Sequence, residues 1–296
     1  MKHHGTVVVG LGDADGGVPE LDWSAADAAT RHVQVHIVRT YQLAQSTVPW
    51  DSSFDRSVSS ELRARAHRRL EDAVTHVRSA WPDVTVTGEV VSGRASEILR
   101  GDSSGAAITV VGSRRFTAFD SAIIGSTGSE LAATAASPVV IVRGPGGNPA
   151  EDPAVVVGVD GSAMTEEVLA FAFDHASRHQ RRVRAVFCWP PDVLAGMQWR
   201  AEPPAPERAE RWLAEALTGW SERYPDVPVH RAVLRQHPVA GLVAAAAAQD
   251  LVVVGSHAGH PRLAALLGSV AQGVLHHADC PVAIVPSRSV GPSRRP

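Results

Sequence analysis

The sequence predicts an α/β protein in which two tandem units each form a doubly wound sheet of five parallel strands. Three observations lead to this prediction. The second half of the chain repeats the first, short apolar runs alternate with helix-like stretches, and some runs are apolar at every position. Ile108–Val111 and Leu251–Val254 show the last pattern, which is typical of parallel strands covered by helices on both faces.

The internal repeat is the strongest organisational feature. Val110–Ser113 recurs as Val253–Ser256, and Gly125-Ser126 recurs as Gly268-Ser269, both 143 positions further along the chain. The same offset relates the Pro-Val segments that begin at residues 138 and 281, and also the segments that begin at residues 81 and 224. A constant offset over this length indicates a duplicated unit without insertions.

Each element of the first copy follows from its pattern. Apolar residues step by three or four from Leu62 to Trp81, which predicts a helix, and the second copy repeats the pattern from Trp212 to Tyr224. The predicted strands of the first copy are Thr6–Leu11, Val33–Thr40, Val84–Val91, Ala107–Gly112 and Val139–Val142.

Composition sets the domain boundaries. The Gly- and Pro-rich segment 144–153 predicts a linker between a first domain at 1–143 and a second at 154–286. The Ser-, Arg- and Pro-rich residues 287–296 predict a disordered tail.

Charge and composition argue against several classes of protein. The net charge of −3 provides no basic footprint for nucleic acid, and the apolar runs are too short to cross a membrane. Lys2 is the only lysine, so neither copy can supply the lysine of a P-loop. Cys188 and Cys280 have no metal or redox spacing, and the first residues lack a secretory pattern, so we expect a cytoplasmic protein.

The carboxyl ends of the strands are where a doubly wound sheet binds ligands. In the second copy, Asp160 follows the first strand, Gly255-Ser256 ends the fourth, and Gly268-Ser269 opens a helix that runs to about His277. A helix N-terminus attracts phosphate, Gly268 allows close approach, and the Ser269 hydroxyl can cap the helix or bind the ligand. The Asp160 carboxylate is placed to accept hydrogen bonds from a ribose or from the edge of a base. The structural alternative is that Ser269 and Asp160 only cap helices.

With these motifs in place, the sequence resembles a tandem universal stress protein over nearly the whole of both copies. The resemblance rests on Gly158-Val159-Asp160-Gly161-Ser162, on Gly255-x2-Ala258-x9-Gly268-Ser269 and on Cys280-Pro281-Val282. It implies the Rossmann-like, adenine nucleotide α-hydrolase-like fold, binding of ATP in many members, and pairing of units through the last strand. It also implies a role in survival under stress.

Both copies depart from the family's ATP-binding motif, Gly-x2-Gly-x9-Gly-(Ser/Thr). Ala258 replaces the second glycine in the second copy, although Gly259 could take over the turn. In the first copy Arg115 stands at that position and Gly12 stands where the second copy has Asp160. We therefore expect the second site to be better preserved than the first.

The predicted ligand is an adenine nucleotide, ATP, with Mg²⁺ able to accompany it. The predicted binding residues of the second copy are Gly158, Asp160, Gly255, Ser256, His257, Ala258, Gly259, Gly268, Ser269 and Val270. Those of the first copy are Gly10, Gly112, Ser113, Arg114, Arg115, Gly125, Ser126 and Thr127. No catalytic residue and no protein metal site is predicted, and the spacing of the glycines after the first strand does not fit a dinucleotide fingerprint.

Three functions stay open at this point. The first is a nucleotide-binding regulatory protein, the second a slow ATPase, and the third an interaction scaffold whose sites have decayed. Pairing of the two domains within the chain through Pro138–Val142 and Pro281–Val285 would cover two sheet edges, and a homodimer of such chains is compatible with it. The expected partners include no nucleic acid and no membrane.

Overall fold

A computed structural model describes residues 5–12, 18–42, 52–113, 125–143, 152–189, 206–248, 250–256 and 267–287, with the backbone alone at 52–58 and 206. The chain divides into two compact units, the first drawn almost wholly from residues before 146 and the second from the residues that follow. In the described part of the chain, no helix is both long enough and apolar enough to cross a membrane.

The first unit is a five-stranded parallel sheet with the strand order β3-β2-β1-β4-β5. The strands are β1 (Val7–Leu11), β2 (Val35–Tyr41), β3 (Val86–Ser92), β4 (Ile108–Gly112) and β5 (Val139–Val142). The helices are α1 (Val18–Arg31), α2 (Ser52–Ala80), α3 (Ala95–Asp102) and α4 (Ser126–Thr134).

The second unit repeats this order as β8-β7-β6-β9-β10, again with every neighbouring pair parallel. Its strands are β6 (Ala154–Gly158), β7 (Arg182–Cys188), β8 (Val229–Leu234), β9 (Leu251–Gly255) and β10 (Val282–Val285). Its helices are α5 (Thr165–Arg178), α6 (Pro206–Ala216), α7 (Trp220–Arg223), α8 (Pro238–Ala245) and α9 (Ser269–His277). The predicted fold class is confirmed.

Helices cover both faces of the sheet, as the continuous apolar strands require. In the first unit a Cβ atom on Gly88 would lie 2.6 Å from Leu70 of α2, and one on Gly10 would lie 2.6 Å from Leu99 of α3. Gly88 is in register with Val9, the neighbour of Gly10, so the two glycines face opposite sides of the sheet. The central strand β1 is therefore buried on both sides, and Val7, Val8 and Val9 are fully inaccessible to solvent.

The prediction of one helix from Trp212 to Tyr224 is wrong in one respect, because the structure divides this segment into two helices. A turn separates α6 from α7, and Gly219 within that turn has φ +84°. A left-handed residue cannot continue an α-helix, so the chain changes direction there. The equivalent residue of the first copy is His76, which lies within the continuous helix α2.

Candidate functional site

A cavity of about 540 Å³ opens at the carboxyl ends of the strands in the second unit. Its wall comes from the turn after β6, the start of α5, the end of β7, the end of β9, and the first turns of α8 and α9. The central strand β6 lies between β7 and β9, so the cavity occupies the point where the strand order reverses. Both the volume and the position are typical of a small-molecule site.

The turn after β6 presents a carboxylate to this cavity. Oδ1 of Asp160 accepts a hydrogen bond from the backbone N–H of Ser162 at 2.9 Å, which fixes the turn and leaves the side chain exposed. The alternative in which Asp160 caps the following helix is wrong, because Met164 holds the N-cap position of α5. Gly161 has φ +76°, and a Cβ atom there would lie 2.9 Å from the Trp212 ring, so the turn requires glycine.

The first turn of α9 presents backbone donors to the same cavity. The N–H of Gly268 donates to the carbonyl of Ser256 at 2.8 Å, and this bond ties the start of the helix to the end of β9. Gly268 holds the N-cap position in extended geometry, with φ −61° and ψ 149°. The alternative that Ser269 caps the helix is therefore wrong, because Ser269 is the first helical residue. A glycine has no side chain to satisfy the N–H groups that follow, and within the described residues no side chain caps them, so they can receive an anion.

An apolar wall faces these polar elements. Val186, Phe187, Pro238 and Leu242 contribute to it, and the Phe187 ring packs at 5.0 Å from the ring of Trp212. Cys188 ends β7 on the same wall, and burial raises the pKa of its thiol to about 11, so the sulfur stays protonated.

Sequence reasoning missed this apolar wall, although a signal for it existed. Phe187 and Cys188 end the strand next to β6, and His237 precedes the helix that follows β8. The strand-end rule that selected Asp160 and Gly268 applies equally to these positions. Sequence reasoning considered Cys188 for metal or redox spacing, whereas the structure places it on the wall of the cavity.

The predicted residues of the second unit fall into three groups. Those that line the cavity are Gly158, Asp160, Gly255, Gly268, Ser269 and Val270. Ser256 is buried instead, where its backbone N–H donates to Val285 and its carbonyl holds Gly268. His257, Ala258 and Gly259 lie outside the described residues.

The two strand glycines of this cavity also have a packing role. A Cβ atom on Gly158 would lie 3.2 Å from Leu242 of α8, and one on Gly255 would lie 3.3 Å from Cβ of Met164. These distances leave little room for a side chain, so both glycines let a helix approach the end of a strand. Each glycine therefore shapes the cavity, because the absence of a side chain lets a helix pack closely against the end of the strand.

The equivalent position in the first unit is occupied by a carboxyl group. A Cβ atom on Gly112 would lie 2.6 Å from Oε1 and 2.8 Å from Oε2 of Glu20, whose residue is only 8% exposed. Burial raises the pKa of this carboxyl, and a hydrogen bond to the backbone of Glu20 opposes the shift in part. At the end of β2, the buried Arg39 donates from Nη1 to the carbonyl of Leu11 at 2.9 Å.

The remaining predicted residues of the first unit occupy the expected elements. Gly10 lies in β1 against Leu99, and the N–H of Ser113 donates to Val142 at 2.9 Å. The carbonyl of Gly125 accepts hydrogen bonds from the N–H groups of Gly128 and Ser129 in the first turn of α4, which begins with Ser126 and Thr127. Arg114 and Arg115 lie outside the described residues.

These features define a tandem α/β protein whose second unit carries a strand-end cavity. The profile of the Universal stress protein family matches residues 4–143 and again residues 153–286. The chain therefore belongs to the universal stress protein family, a family of the stress response, and carries the family's unit twice.

Relatives of similar length agree with this assignment. Universal stress protein Rv2005c of Mycobacterium tuberculosis is 34% identical over 296 residues, covering 96% of this chain and 97% of that protein. A universal stress protein of Mycolicibacterium smegmatis is 32% identical over 294 residues, covering 95% and 97%. The crystal structure of a universal stress protein from Archaeoglobus fulgidus superposes with a TM-score of 0.70 over 96% of this chain and 97% of that chain. At 15% identity, that likeness concerns the fold alone.

Proposed function

We propose that the second unit binds an adenine nucleotide, ATP, and that this binding regulates the protein under stress. The observation that carries the proposal is the 540 Å³ cavity, because it brings together the separately predicted Gly158, Asp160, Gly255, Gly268 and Ser269. These residues come from three segments of the chain, and only the fold makes them neighbours.

The two sides of the cavity suit the two halves of a nucleotide. The start of α9, whose N-cap residue Gly268 makes no side-chain capping bond, offers backbone N–H groups and a positive helix end, which favour phosphate. Phe187, Cys188 and Leu242 offer the apolar surface that a base requires. Among the described lining residues Asp160 is the one carboxylate, so it is the group here that could hold a ribose hydroxyl or Mg²⁺ carried by the phosphates.

The first unit favours the scaffold function instead. The Glu20 carboxyl lies against Gly112, where the second unit instead packs the apolar side chains of Met164 and Val168 against Gly255 at the edge of the cavity. A buried acid at this point opposes an incoming phosphate by charge and by volume. We infer that the chain binds one nucleotide, in its second unit, and that the first unit has a structural or partner-binding role. Pairing of the units through their last strands, and a homodimer, stay predictions.

Titration of the purified full chain with ATP, by calorimetry or equilibrium dialysis, tests this proposal. We expect saturation at one ATP per chain, and release of an adenine nucleotide when the protein is heat-precipitated. If the chain shows no binding of ATP on titration and releases no adenine nucleotide on heating, the proposal is overturned. Steady formation of ADP at a rate proportional to protein would favour the slow ATPase.

The variant Gly268→Glu tests whether ATP binds at the start of α9 in the second unit. We expect the affinity for ATP to fall about 100-fold or more, because a like charge placed beside the phosphates costs several kcal/mol. The matched control is Gly125→Glu, which makes the same change at the equivalent residue of the first unit, where a Cβ atom would meet none of the described residues within 4 Å. Equal losses in the two variants, or a loss in the control alone, would contradict binding in the second unit.

A further inference from the structure

His237 stands at the entry to α8 and lines the cavity of the second unit. Its backbone is extended, with φ −62° and ψ 135°, and Pro238 follows it as the first helical residue. The side chain caps the helix, because Nδ1 accepts a hydrogen bond from the N–H of Val239 at 3.4 Å. The ring is therefore held by one of its two nitrogens.

The capping bond determines the tautomer of this histidine. A ring nitrogen that accepts a hydrogen bond carries no proton, so the neutral imidazole must be protonated at Nε2. Nε2 lies on the side of the ring away from the capped N–H, and among the described residues it has no hydrogen-bond partner. The cap thus leaves an oriented N–H donor on a residue of the cavity wall.

The neighbours of His237 identify the part of the ligand that it can reach. Pro238 adjoins it, and Cys188 and Leu242 line the same wall, so this is the apolar side of the cavity. A Cβ atom on Gly241 would lie 2.5 Å from Sγ of Cys188, so the end of β7 and the first turn of α8 are in close contact. The backbone donors of α9 that suit phosphate belong to a different element.

We propose that His237 is a ligand-contacting residue of the second unit, and that its Nε2–H donates a hydrogen bond to an acceptor on the nucleoside half of the bound nucleotide. This inference rests on the proposed function, since it assigns a residue of the same cavity. It adds a side-chain donor to a wall that is otherwise apolar, and so gives the site a means of selecting among ligands of similar shape.

Among the described residues of the first unit, the equivalent place holds an arginine whose N–H groups are directed to carboxylates. Arg94 occupies the N-cap of α3, 143 positions before His237, and makes no capping bond with its side chain. Its guanidinium instead lies 3.4 Å from a carboxylate oxygen of Glu130 and 3.5 Å from one of Glu97. Arg94 is therefore a matched control position that has the same place in the fold without the proposed contact.

His237→Asn separates the two roles of the histidine. Asparagine is among the best N-cap residues, so it keeps the cap, but it is too short to place a donor where Nε2 lies. We expect the melting temperature to be no lower than that of the unaltered chain and the affinity for ATP to fall about 2- to 12-fold, the usual effect of one hydrogen bond. Adenosine should show a loss of the same size. His237→Ala should lower both the melting temperature and the affinity.

The experiment measures ATP and adenosine affinities and melting temperatures for the unaltered chain, His237→Asn, His237→Ala and Arg94→Asn. Arg94→Asn should leave the affinity for ATP unchanged. If the unaltered chain binds ATP, and His237→Asn binds both ATP and adenosine as tightly as the unaltered chain does, the inference is overturned while the proposed function stands. A loss confined to ATP would place the contact on the phosphates and overturn the nucleoside assignment. Absence of any binding by the unaltered chain would overturn both.

Discussion

The two units keep the same glycine at the end of the fourth strand but pack side chains of different charge against it. In the second unit Met164, at the N-cap of α5, and Val168 within α5 pack beside Gly255, which lines the cavity. In the first unit the carboxyl of Glu20 lies directly against Gly112. The recurring motif glycine therefore does not distinguish the two sites, whereas the charge of the side chain packed against it does.

Met164→Glu should give the largest effect on this comparison, because it would place an acid against Gly255 as Glu20 lies against Gly112. The bond between Gly268 and Ser256 keeps the phosphate-attracting start of α9 next to this point. We expect the affinity for ATP to fall about 10- to 100-fold, since a carboxylate in a low-dielectric cavity repels phosphates. Calorimetric titration of the full chain measures it.

Met164→Gln is the control for that variant, because glutamine has nearly the volume of glutamate without its charge. We expect the glutamine variant to stay within about 3-fold of the unaltered affinity, the effect of replacing one apolar contact by a neutral amide. Losses of equal size in both variants would show that shape at Gly255 matters and charge does not. That result would remove the electrostatic part of the contrast between the units.

A second contrast concerns the long helix between the second and third strands. The first unit has the continuous helix α2, whereas Gly219 interrupts the second unit at the position of His76. We expect Gly219→Ala to cost about 1–2 kcal/mol, because φ is +84° and an alanine there is strained. No atom of the described residues lies within 4 Å of the added Cβ, so we attribute the cost to the backbone. Thermal unfolding should show a decrease of about 3–8 °C.

Gly101→Ala provides the comparison for that measurement. Gly101 lies within α3, and a Cβ atom there would also meet nothing within 4 Å, but its φ is not in the left-handed region. Alanine should therefore raise stability by up to about 1 kcal/mol through its helix propensity. A decrease at Gly101, or no change at Gly219, would contradict the account of the helix break in terms of backbone conformation.

The repeat and the apolar strands made most of the fold predictable. Val33–Thr40 was predicted as a strand and is Val35–Tyr41 in the structure, because periodicity identifies a buried strand but does not fix its last hydrogen bond. The break at Gly219 was harder to predict, since the apolar pattern continues through it to Trp220 and Tyr224. A single glycine is tolerated in many helices, so the pattern alone favoured the continuous helix.

The candidate site was predictable only in part, for a different reason. Asp160 and Gly268 follow strands directly, so a rule about strand ends finds them. Glu20 lies in the first turn of a helix, where an acid is common and exposed, and nothing in the sequence says that it turns inward. The capping role of His237 likewise depends on where α8 begins relative to β7. Tertiary packing decides both of these properties.

The variant Glu20→Gln tests whether burial of this acid lowers the stability of the first unit at neutral pH, a loss that the second unit does not have. Burial raises the pKa of Glu20 above the ordinary value of 4.5, so the folded chain holds this proton more tightly than the unfolded chain does. The stability contributed by Glu20 is then fully present below pH 4.5 and is lost as the pH rises through the folded pKa. Glutamine resembles the protonated acid and does not ionise.

We therefore expect Glu20→Gln to raise the melting temperature at pH 7 by a few degrees, about the effect of 1 kcal/mol in a unit of this size. The advantage should shrink towards zero as the pH falls to 4.5. Glu97→Gln is the control, because Glu97 is also in the first turn of its helix but has a side chain 58% exposed, so burial does not oppose its charge. That variant should gain no stability at pH 7. A Glu20→Gln variant less stable than the unaltered chain at pH 7 would mean that attraction to the helix N-terminus outweighs burial, and that the acid beside Gly112 is held there as a stabilised carboxylate.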